Sequence, residues 1–350
     1  MKNILTVSCS IIFALLLSEM ILRIAELWIP LDANYQPPTL ISKWGYVTNP
    51  NSGNATQCLK SLCVKLHYYF PNLRDTKMNK NANHILVLGD SFTFGWLLPW
   101  NKTYVYYLQR DVDKKFGKNK YQLLNAATPG WGIEDYLGYL KQYGRKSSPK
   151  YVLIFLNTDD IGRAIKRSHL SIPLKKFKQL VYESWLYQHS LLLKFIHYRI
   201  NSILQPILHK IYKHKYATMD FDSIETRNHV VFPGSPHLKF SNQYAIHFSE
   251  KIFLKINQWC EQHNAKLMVV TTGFNTFYPA NLHDPTKIFL SVAPSFFLKE
   301  HIPFYDSAPA FRTLIQGEKF QIPDDHHPNK IGSKAIADAT FQWIEHRIEK

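Results

Sequence analysis

The stretch His84-Ile85-Leu86-Val87-Leu88-Gly89-Asp90-Ser91-Phe92-Thr93-Phe94-Gly95 decides the fold. Its first five residues form an apolar run of strand length, and an unbroken run of this kind reads as a strand covered on both faces, as in a parallel sheet. A serine then stands at the carboxyl end of that strand, where open α/β sheets place their ligand crevice. Gly89 and Gly95 allow a sharp turn on either side of it. Alone, Gly-Asp-Ser after a strand is also what an ordinary turn looks like.

The far end of the chain supplies what such a serine needs. Asp324-Asp325-His326-His327-Pro328-Asn329 precedes a helical pattern from Ser333 to Ile348. A serine becomes a nucleophile at neutral pH only beside a base, and a histidine base needs a carboxylate to fix its tautomer. A carboxylate two or three residues before a histidine meets that need within one loop. Either segment alone could be a polar loop. Together, in this order, they suggest nucleophilic catalysis.

Between the two segments, apolar runs predict strands at His84–Leu88, Tyr121–Asn125, Tyr151–Leu156, Lys266–Thr271 and Ile302–Tyr305. Helical patterns lie between them near Tyr104–Phe116, Glu134–Tyr143, Asn242–His263 and Ile288–Glu300. Alternation of this kind predicts an α/β fold, a parallel sheet with helices on both faces. The stretch 161–239 is too long for a simple crossover and reads as a largely helical insertion. Residues 30–82, with five prolines and several asparagines, read as an irregular lead-in with one hairpin.

The N-terminus reads as a membrane anchor over residues 1–29. Apolar residues run from Ile4 to Leu17, and a second stretch continues to Ile29 past Ser18-Glu19. Ile4 to Ile24 reaches the roughly 20 residues a spanning helix needs, with Glu19 and Arg23 near the interface. No small-x-small cleavage site follows the first run, which favours an uncleaved signal anchor over a signal peptide. The expected location is single-pass and membrane-anchored, with the catalytic part outside the cytoplasm.

Composition narrows the partners. The 350 residues are 45% hydrophobic and 14% aromatic, which excludes a disordered chain, and the formal net charge is +16. Between Arg163 and Lys215, eleven Lys and Arg residues are opposed by Glu183 alone and alternate with apolar side chains. That pattern suits a helix lying on anionic lipid, or a solvated face of a basic protein. No nucleic-acid motif accompanies the charge, so nucleic acid is not an expected partner. The four cysteines form no zinc template. Cys58 and Cys63 are close enough for a local disulfide, which suits an oxidising compartment. Cys260 reads as a small core residue and Cys9 lies in the apolar N-terminal run.

Over roughly residues 83–345 the chain resembles the SGNH (GDSL-like) hydrolase superfamily. Gly89-Asp90-Ser91 matches its first motif block, which implies Ser91 as nucleophile. Asn125-Ala126-Ala127-Thr128-Pro129-Gly130 matches the second, implying the Gly130 N–H as an oxyanion donor beside that of Ser91. Asn157-Thr158-Asp159-Asp160 falls at the third and the Asp/His loop at the fourth, with His327 as base. Membrane-anchored bacterial members are also similar over Ser18-Glu19-Met20-Ile21-Leu22-Arg23. The resemblance implies a three-layer αβα sandwich of flavodoxin-like type with five parallel strands in the order 2-1-3-4-5. It also implies an ester substrate, hydrolysed without a metal or organic cofactor.

Two places depart from the family. Its third block reads Gly-x-Asn-Asp, and the asparagine donates to the oxyanion, whereas this chain has Asp159. An ionised carboxylate there would repel the developing charge. Either a dry site holds Asp159 protonated, or Asn157 substitutes, or backbone donors act alone. Asp160 reads equally well as a turn carboxylate. The triad acid is also open, since Asp324 fits an Asp-x-x-His spacing and Asp325 an Asp-x-His spacing. The following His327-Pro328-Asn329 favours Asp325. The same residues would serve an envelope-polysaccharide O-acetyltransferase or deacetylase, and Asp159 raises a non-catalytic binding protein as another reading.

Overall fold

The computed structural model describes residues 2–26, 39–42, 45–48, 53–59, 62–157, 159–168, 184, 186, 190–193, 195–196, 229–232, 235–274, 285–323 and 325–348. At its centre lie five strands, β1 (Asn83–Leu88), β2 (Tyr121–Asn125), β3 (Tyr151–Leu156), β4 (Lys266–Thr271) and β5 (Phe304–Tyr305). They run parallel in the order β2-β1-β3-β4-β5. The expected fold is therefore the observed one, and three of the five strands have the bounds read from the sequence.

The strands are continuous apolar runs because both faces are covered. Leu86, Leu88, Val152, Ile154, Leu156, Leu267 and Val269 face one way. Their alternates Ile85, Val87, Leu153, Phe155, Met268 and Val270 face the other. On the first face lie α4 (Ile133–Tyr139), α5 (Asp160–Ser168), α6 (Asn242–Gln262) and α7 (Pro285–Lys299). On the second lie α3 (Tyr104–Phe116), α8 (Ala308–Leu314) and α9 (Lys330–Ile348). Each fully buried aliphatic side chain contributes about 1.5–3 kcal/mol, so this double-sided core dominates stability. The helix expected through Tyr143 instead widens into a π turn at Leu140–Gly144. There a Cβ on Gly144 would lie 2.6 Å from the Trp259 ring, so a regular helix with a larger residue would collide with α6.

The lead-in is more ordered than expected. Thr39–Ser42 pairs with Gly45–Thr48, and Asn54–Leu59, Leu62–Tyr69 and Leu73–Arg74 form a three-stranded antiparallel sheet. Alternation in Leu62–Tyr69 explains the longest strand. Val64, Leu66 and Tyr68 turn inward onto Phe94 and Ala127, while Lys65 stays outside. Cys63 is disulfide-bonded, and the residue opposite it across the ladder is Cys58. Cys260 is a buried free cysteine, as expected.

Helix α1 (Lys2–Glu26) contains an apolar stretch, Thr6–Ala25, with mean hydropathy 2.0 and none of it buried. At 1.5 Å per residue such a stretch spans about 30 Å, the thickness of a hydrocarbon core, and suits a signal anchor or a signal peptide. Glu19 in this helix pairs with Arg23 at 2.8 Å. It also accepts from the Ser190 hydroxyl (2.9 Å) and from the N–H groups of Leu191 (3.0 Å) and Leu192 (2.9 Å). Most of the insertion expected at 161–239 lies outside the described residues. Its described ends are α5 and an antiparallel hairpin, His229–Phe232 with Ser235–Ser241, so its last part is strand rather than helix.

Candidate active site

Ser91 is the first residue of a four-residue helix, α2 (Ser91–Phe94), that opens directly after β1. The Asp90 side chain caps it by accepting from the Phe92 N–H at 2.9 Å. Gly95 closes it with φ 81 and donates to the Ser91 carbonyl at 3.1 Å. Gly89 is required for a different reason. A Cβ there would stand 1.9 Å from Thr93 Oγ1, so only glycine lets strand and helix meet this closely.

The carboxyl ends of the strands bring the two distant segments together. Ser91 Oγ lies 2.7 Å from His327 Nε2, and His327 Nδ1 lies 2.5 Å from Asp325 Oδ1. The His327 backbone N–H donates to the same oxygen at 2.8 Å. Ser91 is 8% exposed, and the Asp325 and His327 side chains are 15% and 21% exposed, so the group is reachable yet largely shielded from water. Burial pushes the Asp325 carboxyl up, but the hydrogen bonds from the His327 ring and N–H, the His327 charge and the nearby Trp96 indole outweigh it. The carboxyl ends below its ordinary range.

Asn329 builds this loop. Its Oδ1 accepts from the N–H groups of Ile331 (2.8 Å) and Gly332 (3.1 Å), capping α9. Its Nδ2 donates to the carbonyls of Lys319 (2.6 Å) and Gln321 (3.1 Å). The Ile322 N–H donates to the His327 carbonyl at 2.9 Å. The backbone on both sides of the histidine is thereby pinned.

Two other loops frame Ser91. In the first, Asn125 donates to the Thr93 carbonyl at 3.0 Å and accepts from the Ala127 N–H at 3.1 Å, and the Thr128 N–H donates to the Gly89 carbonyl at 3.2 Å. Gly130 follows with φ 78, a left-handed backbone suited to glycine. In the second, Asn157 is buried. Its Nδ2 donates to Asp90 Oδ2 at 3.2 Å and its Oδ1 accepts from the Thr272 hydroxyl at 2.8 Å. Asp159 is exposed, with φ 70.

Beneath these loops Arg163 bridges Asp90 (2.7 Å) and Asp160 (2.6 Å). Asp160 also accepts from the Tyr136 hydroxyl at 2.7 Å and the Asn157 N–H at 2.8 Å. Burial, and then the Asp90 charge, push the Asp160 carboxyl up, while Arg163 and these donors pull it back. Among the described residues, no group of three or more His, Cys, Asp or Glu side chains could hold a metal ion.

The model of one family, GDSL-like lipase/acylhydrolase, matches the sequence over residues 85–340, from the first core residue of β1 into α9. The chain belongs to that family. No curated protein matches it. This GDSL-like hydrolase is similar to TesA, with 13% identity over 75% of this chain and 99% of that one, and a TM-score of 0.44. It is similar to the psychrotrophic esterase EstA from Pseudoalteromonas sp. at 16% identity over 77% and 100% of the two chains, TM-score 0.44. It is also similar to the acetylxylan esterase Axe2 from Geobacillus stearothermophilus at 13% identity over 74% and 93%, TM-score 0.42.

Of the residues expected at the site of this hydrolase, Ser91, His327 and Asp325 form one hydrogen-bonded run. Asp324 lies outside the described residues. Asn157 reaches Asp90, the residue before Ser91, and Asp160 accepts from the Asn157 N–H and the Tyr136 hydroxyl. The dry setting suggested for Asp159 is absent, because that residue is exposed. Arg163, read from sequence as the start of a basic stretch facing lipid or solvent, instead joins two buried carboxylates. Asn329 and Trp96 escaped the sequence reading. For Asn329 the signal was available, an asparagine immediately before a helix.

Proposed function

We propose that this hydrolase is a serine esterase in which Ser91 attacks an ester carbonyl, with His327 as base and Asp325 as its orienting acid. The hydrogen-bonded run Ser91–His327–Asp325 carries the reading. With its Nδ1–H given to Asp325, His327 keeps the Nε2 lone pair for the Ser91 proton. That proton passes to Nε2 as the serine oxygen bonds to the carbonyl carbon, and then to the leaving alcohol as the ester C–O bond breaks. Water enters the same way and releases the acid. The N–H groups of Ser91 and Gly130 hold the oxyanion, and a missing third donor would cost about 3–4 kcal/mol.

The same reading places the catalytic body outside the cytoplasm on a single uncleaved anchor, α1. The apolar length of Thr6–Ala25 and the disulfide at Cys63 support that location. Turnover of a panel of short and long acyl esters, acetylated sugars included, tests the function. Ser91→Ala should abolish turnover and leave the melting temperature unchanged. A variant that kept wild-type turnover would overturn the assignment.

A further inference from the structure

Trp96 stands between two residues with left-handed backbone, Gly95 at φ 81 and Leu97 at φ 54. Glycine adopts this region freely, but leucine enters it only at a steric cost. Such strain persists only where the surroundings impose it. Here they do. Arg74, fully buried, donates to the carbonyls of Phe94, Gly95 (2.6 Å) and Leu98, and its guanidinium lies 4.4 Å from the Phe94 ring centre. Gln57 accepts from the Leu97 N–H at 2.9 Å, and the Trp96 N–H donates to the Ser91 carbonyl at 3.0 Å. Every one of these hydrogen bonds fixes backbone.

What this strained loop holds out is the half-buried Trp96 indole. Its ring centre is 5.7 Å from that of His327, tilted by 35°, and the indole is one of the groups that favour the ionised Asp325 carboxylate. Phe92 meets the same imidazole at 4.8 Å.

We propose that Trp96 is a positioning residue of the Ser91–His327–Asp325 group, set in place by the buried Arg74 clamp. The inference rests on the serine-esterase reading above. The indole favours the ionised carboxylate, and its ring face lies within reach of the imidazolium that forms each time His327 takes a proton. Nothing in this role requires contact with substrate.

The test uses the full chain in detergent micelles. Trp96→Phe keeps an aromatic ring and loses the N–H, while Trp96→Ala loses both. We expect kcat to fall roughly tenfold and roughly a hundredfold respectively, since small misplacements of reacting groups cost this much. KM should stay within about twofold, because no ground-state contact is removed. Arg74→Lys, which keeps the charge and loses the fork, should reproduce a loss in kcat with Trp96 intact. A raised KM with kcat intact would make Trp96 a wall of the substrate pocket and overturn the inference. Full kcat in Arg74→Lys would sever the link to the clamp.

A second measurement does not depend on turnover. The low-field proton resonance between His327 and Asp325, assigned by its loss in His327→Ala, should broaden or shift in Trp96→Phe. An unchanged resonance would overturn the positioning role. If the wild-type chain neither hydrolysed esters nor bound a fluorophosphonate at Ser91, the esterase reading would fall, and the resonance would still decide the role of Trp96.

Discussion

At the scale of single residues, Asp159 is the most consequential departure from the family pattern. It stands where the resembled family has an oxyanion-donating asparagine, and it is exposed rather than enclosed. Asp159→Asn would put an amide donor in place of a carboxylate acceptor. We expect kcat to rise by about tenfold or more, because one such donor is worth 10²–10³ in other serine hydrolases. An unchanged rate would assign donation to the Asn157 amide or to the backbone alone. The residues that meet at Ser91 were legible because each lies in a short motif whose chemistry demands a partner. Trp96 and Arg163 were not, because their roles come from contacts made only in the fold. Arg163 reaches Asp90 across 73 positions, and no local pattern marks that pair.

At the scale of elements, the sheet was legible for one reason: strands covered on both faces are unbroken apolar runs, as Tyr151–Leu156 illustrates with every residue buried. The lead-in strands hid because one face is wet and their apolar residues are spaced by Lys65 and His67. The hairpin that ends the insertion hid behind the expectation of one largely helical stretch. The lead-in also carries load. Besides Arg74 and Gln57, Asn72 donates to the Thr128 hydroxyl at 3.3 Å, and Tyr139 donates to the Pro71 carbonyl at 2.6 Å. Arg74→Met would remove the arginine's hydrogen bonds to three buried carbonyls and to the neighbouring Asp75 carboxylate. We expect a loss of about 3–5 kcal/mol in denaturant unfolding, the range for breaking a buried ion pair from one side. A loss below about 1 kcal/mol, the worth of a surface pair, would show that water replaces the arginine.

At the scale of the whole molecule, α1 ties the hydrolase to a membrane in our reading, and Glu19 ties α1 to the body through Ser190, Leu191 and Leu192. Full-length protein should stay in the membrane fraction through salt and alkaline washing. Release by salt alone would transfer the tether to the basic insertion, whose attraction to anionic lipid is screened by ions. The Arg74 clamp bears on a different question, that of where this enzyme begins. Recognition by family starts at residue 85, inside β1, whereas the loop that follows Ser91 is held by residues 57 and 74. The segment by which the family is recognised is thus smaller than the segment that shapes the loop after Ser91. A relative that shares the motifs but lacks this upstream sheet must brace its own nucleophile loop by other means, and a graft of residues 85–340 onto another anchor would inherit the chemistry without its scaffold.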